Sequence, residues 1–181
     1  EAVDLVSPVL FNHHKQVAFT AYQIGAQMGL AKEKQKKLFI AGSLHDIGAV
    51  HLKDRLSYLK FEVKNAQFHA DYGYLLLSSF PPLLKVAEVI RFHHIPWRCG
   101  KGSEYMGIKV PLESHFLHLA DRVAVSLDKN REVLGQVKRI CARILKYSGE
   151  YFHPDAVEAF MELARKEYFW LSLFSSSSNT I

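Results

Sequence analysis

The sequence predicts an all-α fold, a single-domain helical bundle, and three observations lead to that class. Apolar residues recur at spacings of three and four along most of the chain, no segment alternates convincingly between apolar and polar residues, and glycines or prolines separate the periodic stretches. A chain of 181 residues suits one compact domain with its own core. We expect that domain to cover residues 1–170, and residues 171–181 to form a linker or disordered tail of a longer protein.

The first two predicted helices are each ended by a glycine. Pro8 opens the first helix, with Ser7 as its N-cap, and Gly29 ends it. The second helix is predicted over about residues 32–47, and Gly48 follows its apolar end.

Prolines separate most of the remaining helices. Pro81 and Pro82 end one helix before the next begins, and Pro111 opens another. His153 and Asp155 on either side of Pro154 predict a capped helix start. These signals predict a short helix after Asp54, longer helices over about residues 66–79, 83–94, 111–127, 131–147 and 154–168, and a loop over residues 95–109.

Composition excludes several classes of protein. The 12 Phe, 8 Tyr and 2 Trp are too many for a disordered chain, and no apolar run approaches the roughly 20 residues that a membrane span needs. The net charge of +5 is too small and too dispersed to indicate a nucleic-acid polymer as partner. Two cysteines outside any Cys-x-x-Cys motif are typical of reduced thiols in a cytoplasmic protein. A homodimer or additional domains stay open.

Ten histidines are the most unusual feature of the composition. His13 shares the apolar stripe of its helix with Val17. Asp121 lies on an apolar face between Leu117 and Val125, and a buried unpaired carboxylate costs several kcal/mol. Asp121 must therefore be paired, protonated or bound to a cation.

Several of these polar residues share a position near a helix end or on an inward face. Each taken singly has an ordinary explanation, such as a core histidine bonded to a carbonyl or an aspartate that caps a helix. Together they supply the nitrogen and oxygen donors that suit Zn, Fe, Mn, Co or Ni. Asp46, whose two oxygens can contact two cations, is the natural bridge of a two-metal site. The set is His13, His45, Asp46, His69, His93, His94 and Asp121.

This ordered series resembles the HD superfamily of metal-dependent phosphohydrolases, and within it the HD-GYP branch of cyclic dinucleotide phosphodiesterases. The resemblance covers about residues 9–165 and depends on the order and spacing of the motifs rather than on one dipeptide. The motifs are His13-x-x-x-Val17, His45-Asp46-Ile47-Gly48, His69-x-x-x-Gly73-Tyr74, His93-His94-x-x-Trp97, Val110-Pro111-Leu112 leading to Ala120-Asp121, and Phe152-His153-Pro154.

The resemblance implies two divalent transition-metal ions. It places one between His13, His45, Asp46 and Asp121, and the other between Asp46, His69, His93 and His94. Some members hold a third ion through a Glu that corresponds here to Val9, so we expect two. Metals roughly 3.5–4 Å apart can share a hydroxide that attacks a phosphoryl group in line. The catalytic role implied for Asp46 is to position that hydroxide.

The chain departs from the family pattern where substrate is bound. Ala49 stands where the family has a lysine, Ala124 stands where it has an acid, and the residues after His94 lack most of the GYP motif. Lys53, Arg98 and Lys101 are candidate substitute cations for substrate phosphate, although a solvated surface charge is the more common explanation for each. His118 either orients Asp121 or packs in the core. His14, His51, His115 and His153 are left out of the ligand set.

Three functions therefore stay open. The first is a phosphodiesterase that acts on a nucleotide, possibly a cyclic dinucleotide such as cyclic di-GMP. The second is a signalling or dimerisation module that binds metal without turnover, which the loss of the lysine and of the GYP motif favours. The third is hydrolysis of a linear nucleotide such as a dNTP or an alarmone, which the superfamily also includes.

Overall fold

The computed structural model describes residues 12–50, 60–61, 67–128 and 130–174. Within these ranges the chain is mainly helical, which confirms the all-α class. The helices are α1 (His13–Gln27), α2 (Lys32–Leu44), α3 (Gln67–Ser78), α4 (Leu84–Arg91), α5 (Leu112–Val125), α6 (Val137–Lys146), α7 (Pro154–Ala164) and α8 (Glu167–Phe174). The predicted start at Ser7 and Pro8 and the short helix after Asp54 lie outside the described residues.

A small hairpin interrupts the predicted loop over residues 95–109. Strands β1 (Glu104–Tyr105) and β2 (Ile108–Lys109) pair antiparallel, and the turn between them places Met106 at φ 51° and Gly107 at φ 77°. The sequence predicts no strand here, because two-residue strands are too short to leave an alternating pattern.

Helix α1 lies at the centre of the fold, between α2 and α5. Gly42 lets α2 approach α1 closely, because a Cβ atom there would collide with the backbone of Ala18. Val17, Ile24 and Phe116 are fully buried between these helices. Gly29, at φ 71°, ends α1 with the left-handed residue that the sequence predicts.

Two helices end earlier than the sequence predicts, and both ends carry candidate ligands. Helix α2 ends at Leu44 rather than near residue 47, so His45 and Asp46 lie in a tight turn closed by the bond from Ala49 N to Asp46 O, 2.9 Å. Helix α4 ends at Arg91, and the turn that follows carries His93 and His94. The tight turns replace the last helical residues and point these side chains inward.

The C-terminal helices close the bundle. His153 caps α7, as predicted, by accepting a hydrogen bond from the Asp155 backbone N–H at 3.2 Å. Helix α8 then extends to Phe174 because Trp170 and Leu173 are buried in the core. Residues 171–174, placed by the sequence in the linker, are therefore helical. Among the described residues, no helix combines the length and the apolar character that crossing a bilayer requires.

Candidate metal centre

The seven predicted ligands lie together at one end of the bundle, where four helices begin or end. His13 is the first residue of α1, His45 and Asp46 follow α2, and the histidine pair follows α4. His69 in the first turn of α3 and Asp121 within α5 complete the group. Because five different helices or the turns after them carry these ligands, the packing of the bundle fixes the separation between the groups.

Asp46 stands between two groups of imidazoles. Its Oδ2 atom lies 3.2 Å from Nε2 of His45 and 4.0 Å from Nε2 of His13. Its Oδ1 atom lies 3.1 Å from Nε2 of His69. One carboxylate therefore presents a different oxygen to each group.

The side chains form two clusters with the spacing of metal ligands. His13, His45 and Asp46 offer ligand atoms that lie within 4.8 Å of one another, and so do His69, His93 and His94. Asp121 adjoins the first cluster, with Oδ1 at 3.4 Å from Nε2 of His13 and 3.9 Å from Nε2 of His45. These His and Asp clusters could hold divalent metal ions.

Backbone carbonyls orient two of the imidazoles. Nδ1 of His45 donates to the carbonyl of Gly42 at 2.9 Å, and Nδ1 of His93 donates to the carbonyl of Ile90 at 2.6 Å. Because a carbonyl only accepts, each ring directs Nε2 into the site. Nε2 of His93 is buried and has no hydrogen-bond partner among the described residues. A buried imidazole nitrogen of this kind fits a metal ligand.

Protonation in the second cluster also fits metal binding. Burial and then the neighbouring imidazoles hold the pKa of His93 and of His94 well below the ordinary 6.5. Both rings are neutral at physiological pH, so their nitrogen lone pairs are available to a cation.

The first cluster is held by opposite charges instead. Burial lowers the pKa of His45, but Asp46 and Asp121 together with the Gly42 carbonyl outweigh burial and raise that pKa to about 9. Burial raises the pKa of Asp121, but Arg122, His13 and His45 together outweigh burial and hold that pKa well below 3.8. Burial raises the pKa of Asp46 too, but His45 and His69 outweigh burial and hold it well below 3.8. Both carboxylates are therefore ionised, and a metal ion would take the place of the proton on His45.

Two further side chains lie beside the site: Arg122, which the sequence analysis missed, and His14, which it left outside the ligand set. Arg122 is buried and contacts Oδ2 of Asp121 through Nη2 and, at 3.1 Å, through Nε. His14 is also buried, with its ring centre 5.3 Å from that of His45. The signal for Arg122 is its place in α5, where almost every other residue is also buried, because a buried arginine needs an acidic partner.

A cavity of about 340 Å³ opens beside His94. Arg98, His118 and Arg122 line it, together with Gln67 and Tyr151. Burial and then Arg122 lower the pKa of His118 to about 3, so this ring is neutral. The cavity thus joins the second cluster to a wall with two guanidinium groups.

The three basic residues predicted to bind substrate phosphate differ from one another in position. Arg98 lines the cavity, whereas Lys101 is exposed and is not one of the described residues that line it. Lys53 lies outside the described residues. Ala49, which stands where the resemblance implies a lysine, is 1% exposed.

Two of the histidines left outside the ligand set lie away from the clusters. His115 and His153 pack against the Trp97 ring, with ring centres 5.1 and 4.2 Å away, and belong to neither cluster.

The sequence matches one protein family and is similar to two proteins of known activity. Residues 10–126 match the HD domain family. Over 183 residues, 95% of this chain and 41% of the relative, the sequence is 30% identical to the 3'3'-cGAMP-specific phosphodiesterase 1 of Vibrio cholerae serotype O1. Over 171 residues, 85% of this chain and 44% of the relative, it is 29% identical to the cyclic di-GMP phosphodiesterase of Thermotoga maritima. The chain thus spans less than half the length of these curated relatives.

Proposed function

Because the chain belongs to the HD domain family, we propose that it is a metal-dependent phosphodiesterase that hydrolyses a cyclic dinucleotide at a centre of two metal ions. The observation that carries this proposal is the placement of Asp46, with Oδ2 toward His13 and His45 and Oδ1 toward His69. A carboxylate with one oxygen facing each of two imidazole groups suits two cations, whereas a single ion would leave one group unused.

The seven side chains divide naturally into two ligand sets around Asp46. His13, His45 and Asp121 would hold one ion with it, and His69, His93 and His94 the other. The nitrogen and oxygen donors suit Fe, Mn, Zn, Co or Ni. Metals bound there would lower the pKa of a water molecule and neutralise phosphoryl oxygens.

The protein groups around the cavity suit an anionic substrate. Arg98 brings a permanent positive charge to its wall, and Arg122, whose charge is paired with Asp121, lines the same cavity. Backbone hydrogen bonds fix the loop that carries Arg98, since Arg98 N donates to Glu150 O at 2.6 Å and Trp97 N donates to Tyr151 O at 3.1 Å. Arg98 can orient a phosphodiester beside His94 in place of the lysine absent at Ala49, whereas the guanidinium of Arg122 is already held by Asp121.

A module that binds metal without turnover is the second candidate. The buried methyl group of Ala49, where the family has a lysine, favours it. The cavity beside His94, with Arg98 in its wall, favours catalysis, because a structural metal site needs no phosphate-binding wall.

Metal content and turnover distinguish the two functions. The purified protein is assayed for bound metal and then for hydrolysis of 3'3'-cGAMP, cyclic di-GMP, cyclic di-AMP and linear nucleotides. We expect about two metal ions per chain and turnover of a cyclic dinucleotide, with Asp46→Ala losing both.

A control at a histidine outside the clusters keeps the test specific. His153→Asn retains a capping side chain on α7 and should keep both metal and activity. Bound metal with no turnover of any phosphodiester would support the module instead, and turnover that survives Asp46→Ala would contradict the proposed centre.

A further inference from the structure

A second cavity, of about 490 Å³, adjoins the first one. Gln67 lines both cavities, so a group in the second cavity would lie close to a phosphate beside His94. The second cavity lies along the outer face of α3 and is closed on one side by the hairpin residue Tyr105.

Aromatic rings dominate the wall of this second cavity. Phe68 and Tyr72 are one helical turn apart on α3, and their rings lie 6.5 Å apart with an interplanar angle of 29°. Phe68 is 68% exposed and Tyr72 54% exposed, although aromatic side chains are usually covered. Tyr105 packs edge-on against Phe92, with ring centres 6.4 Å apart, which steadies the opposite wall.

One carboxylate, Asp71, stands among these rings. Its Oδ1 atom accepts hydrogen bonds from Arg91 Nε and from Gln67 Nε2, each at 3.3 Å, and 48% of its side-chain surface is exposed. Phe68, Asp71 and Tyr72 follow the spacing i, i+3 and i+4, so the carboxylate and the rings share one face of α3. An acceptor fixed beside aromatic faces is suited to a planar ring with hydrogen-bond donors on its edge.

We propose that this second cavity is a base subsite, in which a guanine of the cyclic dinucleotide stacks on Phe68 and Tyr72 while Asp71 accepts hydrogen bonds from N1–H and N2–H of its Watson–Crick edge. Guanine carries two adjacent donors on that edge, whereas adenine offers one donor beside an acceptor. Stacking on aromatic side chains accepts any base, so Asp71 supplies the selectivity. This inference rests on the proposed phosphodiesterase function.

Substitution of Tyr72 tests the stacking surface. We compare kcat/KM for cyclic di-GMP with kcat/KM for methyl p-nitrophenyl phosphate, a phosphodiester without a base. The ratio of the two values should fall about tenfold in Tyr72→Ala, the size expected from losing one stacked base. Tyr168→Ala is the matched control, because Tyr168 is 55% exposed on α8, and its ratio should stay within twofold of wild type.

Substitution of Asp71 tests the choice of base. In Asp71→Asn the preference for cyclic di-GMP over cyclic di-AMP should fall about tenfold, because the amide cannot accept both guanine donors. An unchanged preference in Asp71→Asn, or an unchanged ratio in Tyr72→Ala, overturns the subsite.

Further outcomes distinguish failure of the base subsite from failure of the phosphodiesterase function, and from occupation of the aromatic face by a second copy of the chain. If the metal-loaded wild type hydrolyses neither substrate, the proposed function fails, whereas turnover of both with no effect of Tyr72→Ala overturns the subsite alone. Self-association of the wild type in sedimentation experiments that Tyr72→Ala abolishes, without a change in the substrate ratio, would show that the aromatic face joins two copies of the chain and would also overturn it.

Discussion

Arg122 donates two hydrogen bonds to one oxygen of its neighbour in the chain, Asp121. Nε lies 3.1 Å from Oδ2 and Nη2 also contacts it, while the other oxygen, Oδ1, lies 3.4 Å from Nε2 of His13. Nη1 of Arg122 donates to the carbonyls of Lys60 and Phe61. Consecutive helix residues do not normally face each other, so these carbonyls hold the guanidinium in place. The contact keeps Asp121 ionised with Oδ1 directed at the candidate metal centre.

Arg122→Lys should weaken metal binding about tenfold. A lysine keeps the positive charge but loses the planar fork that fixes the Asp121 carboxylate, and removal of a group that orients a metal ligand typically costs 10- to 100-fold in affinity. Titration of the metal-free protein with Mn²⁺ against a competing chelator measures the change.

Arg139→Lys is the matched control for that variant. Arg139 donates to Ser126 O at 2.9 Å and to Gln136 Oε1 at 3.2 Å, away from both clusters. Its substitution should leave Mn²⁺ affinity within twofold of wild type. Equal affinities for Arg122→Lys and Arg139→Lys would contradict a positioning role for Arg122.

Metal removal should lower the stability of the folded protein. The buried carboxylates of Asp46 and Asp121 face imidazoles that a bound cation would hold together, and a ligand that binds only the folded state at about 1,000 times its Kd stabilises it by roughly 4 kcal/mol. Chelator-treated protein should therefore melt at a lower temperature, and Mn²⁺ or Fe²⁺ should restore it.

Asp46→Asn is the variant that tests this stabilisation. An amide lacks the charge that a bridging ligand needs, so added metal should raise the melting temperature of Asp46→Asn by less than half as much as that of wild type. A full shift in Asp46→Asn, or no shift in the wild type with any of the divalent metals, would contradict the candidate centre.

The inward position of the histidines follows from helical periodicity, which the sequence carries. His13 shares a stripe with Val17, and both are buried as that spacing predicts. Helical periodicity does not predict that Arg122 pairs with Asp121. The position of the Arg122 guanidinium depends on a hydrogen bond to the carbonyl of Phe61, some sixty residues earlier in the chain. Hydrogen bonds between distant segments leave no local pattern, so this positioning group was missed.

Helix ends also differ in whether the local sequence or the tertiary packing determines them. Gly29 was found because a left-handed residue after a helix is a local requirement. Helix α2 was predicted about three residues too long, because nothing local distinguishes Leu44 from Ile47 as its last residue. The early end is set by packing of the turn against α3, where Gly48 meets the backbone of His69.

Gly48→Ala should destabilise the protein by about 3 kcal/mol, the upper end of the usual cost of overpacking. A Cβ atom at this position would collide with the carbonyl oxygen of His69 and the backbone N of Gly73, neither of which can rotate away. The turn that carries His45 and Asp46 would have to move from α3, so metal affinity should fall as well.

Urea denaturation of the metal-free protein measures that loss. Gly135→Ala serves as its control, because among the described residues a Cβ there would meet only a carboxylate oxygen of Glu132 at 3.0 Å. That oxygen accepts a hydrogen bond from Gly135 N, but it belongs to an exposed side chain that can shift more easily than backbone. It should change the free energy of unfolding by less than about 1 kcal/mol. Equal stability of Gly48→Ala and Gly135→Ala would show that the turn is not held tightly against α3.

Glu113 should make stability depend on pH in the acid range. Its carboxylate is buried in the first turn of α5 and accepts a hydrogen bond from Lys37 of α2 at 2.9 Å, with Lys34 at 3.6 Å. Burial raises the pKa of Glu113, but the hydrogen bond from Lys37 and the nearby lysine charges outweigh it, so the folded-state pKa lies below the ordinary 4.5. The folded state therefore favours the ionised carboxylate.

The sign of the effect follows from that depressed pKa. The unfolded chain binds the proton more tightly, so the stabilisation by Glu113 is complete above pH 4.5 and is lost as pH falls through the lower folded-state pKa.

Glu113→Gln should be about 1 kcal/mol less stable than wild type at pH 7, and urea denaturation should show this difference in the free energy of unfolding becoming smaller below pH 4.5. Glu88→Gln, in the exposed pair of Glu88 with Lys85 at 3.1 Å, should cost under about 0.5 kcal/mol at pH 7. A Glu113→Gln gap that widens in acid would contradict the ion pair as the link between α2 and α5, because protonation can only remove the charge that the lysines stabilise.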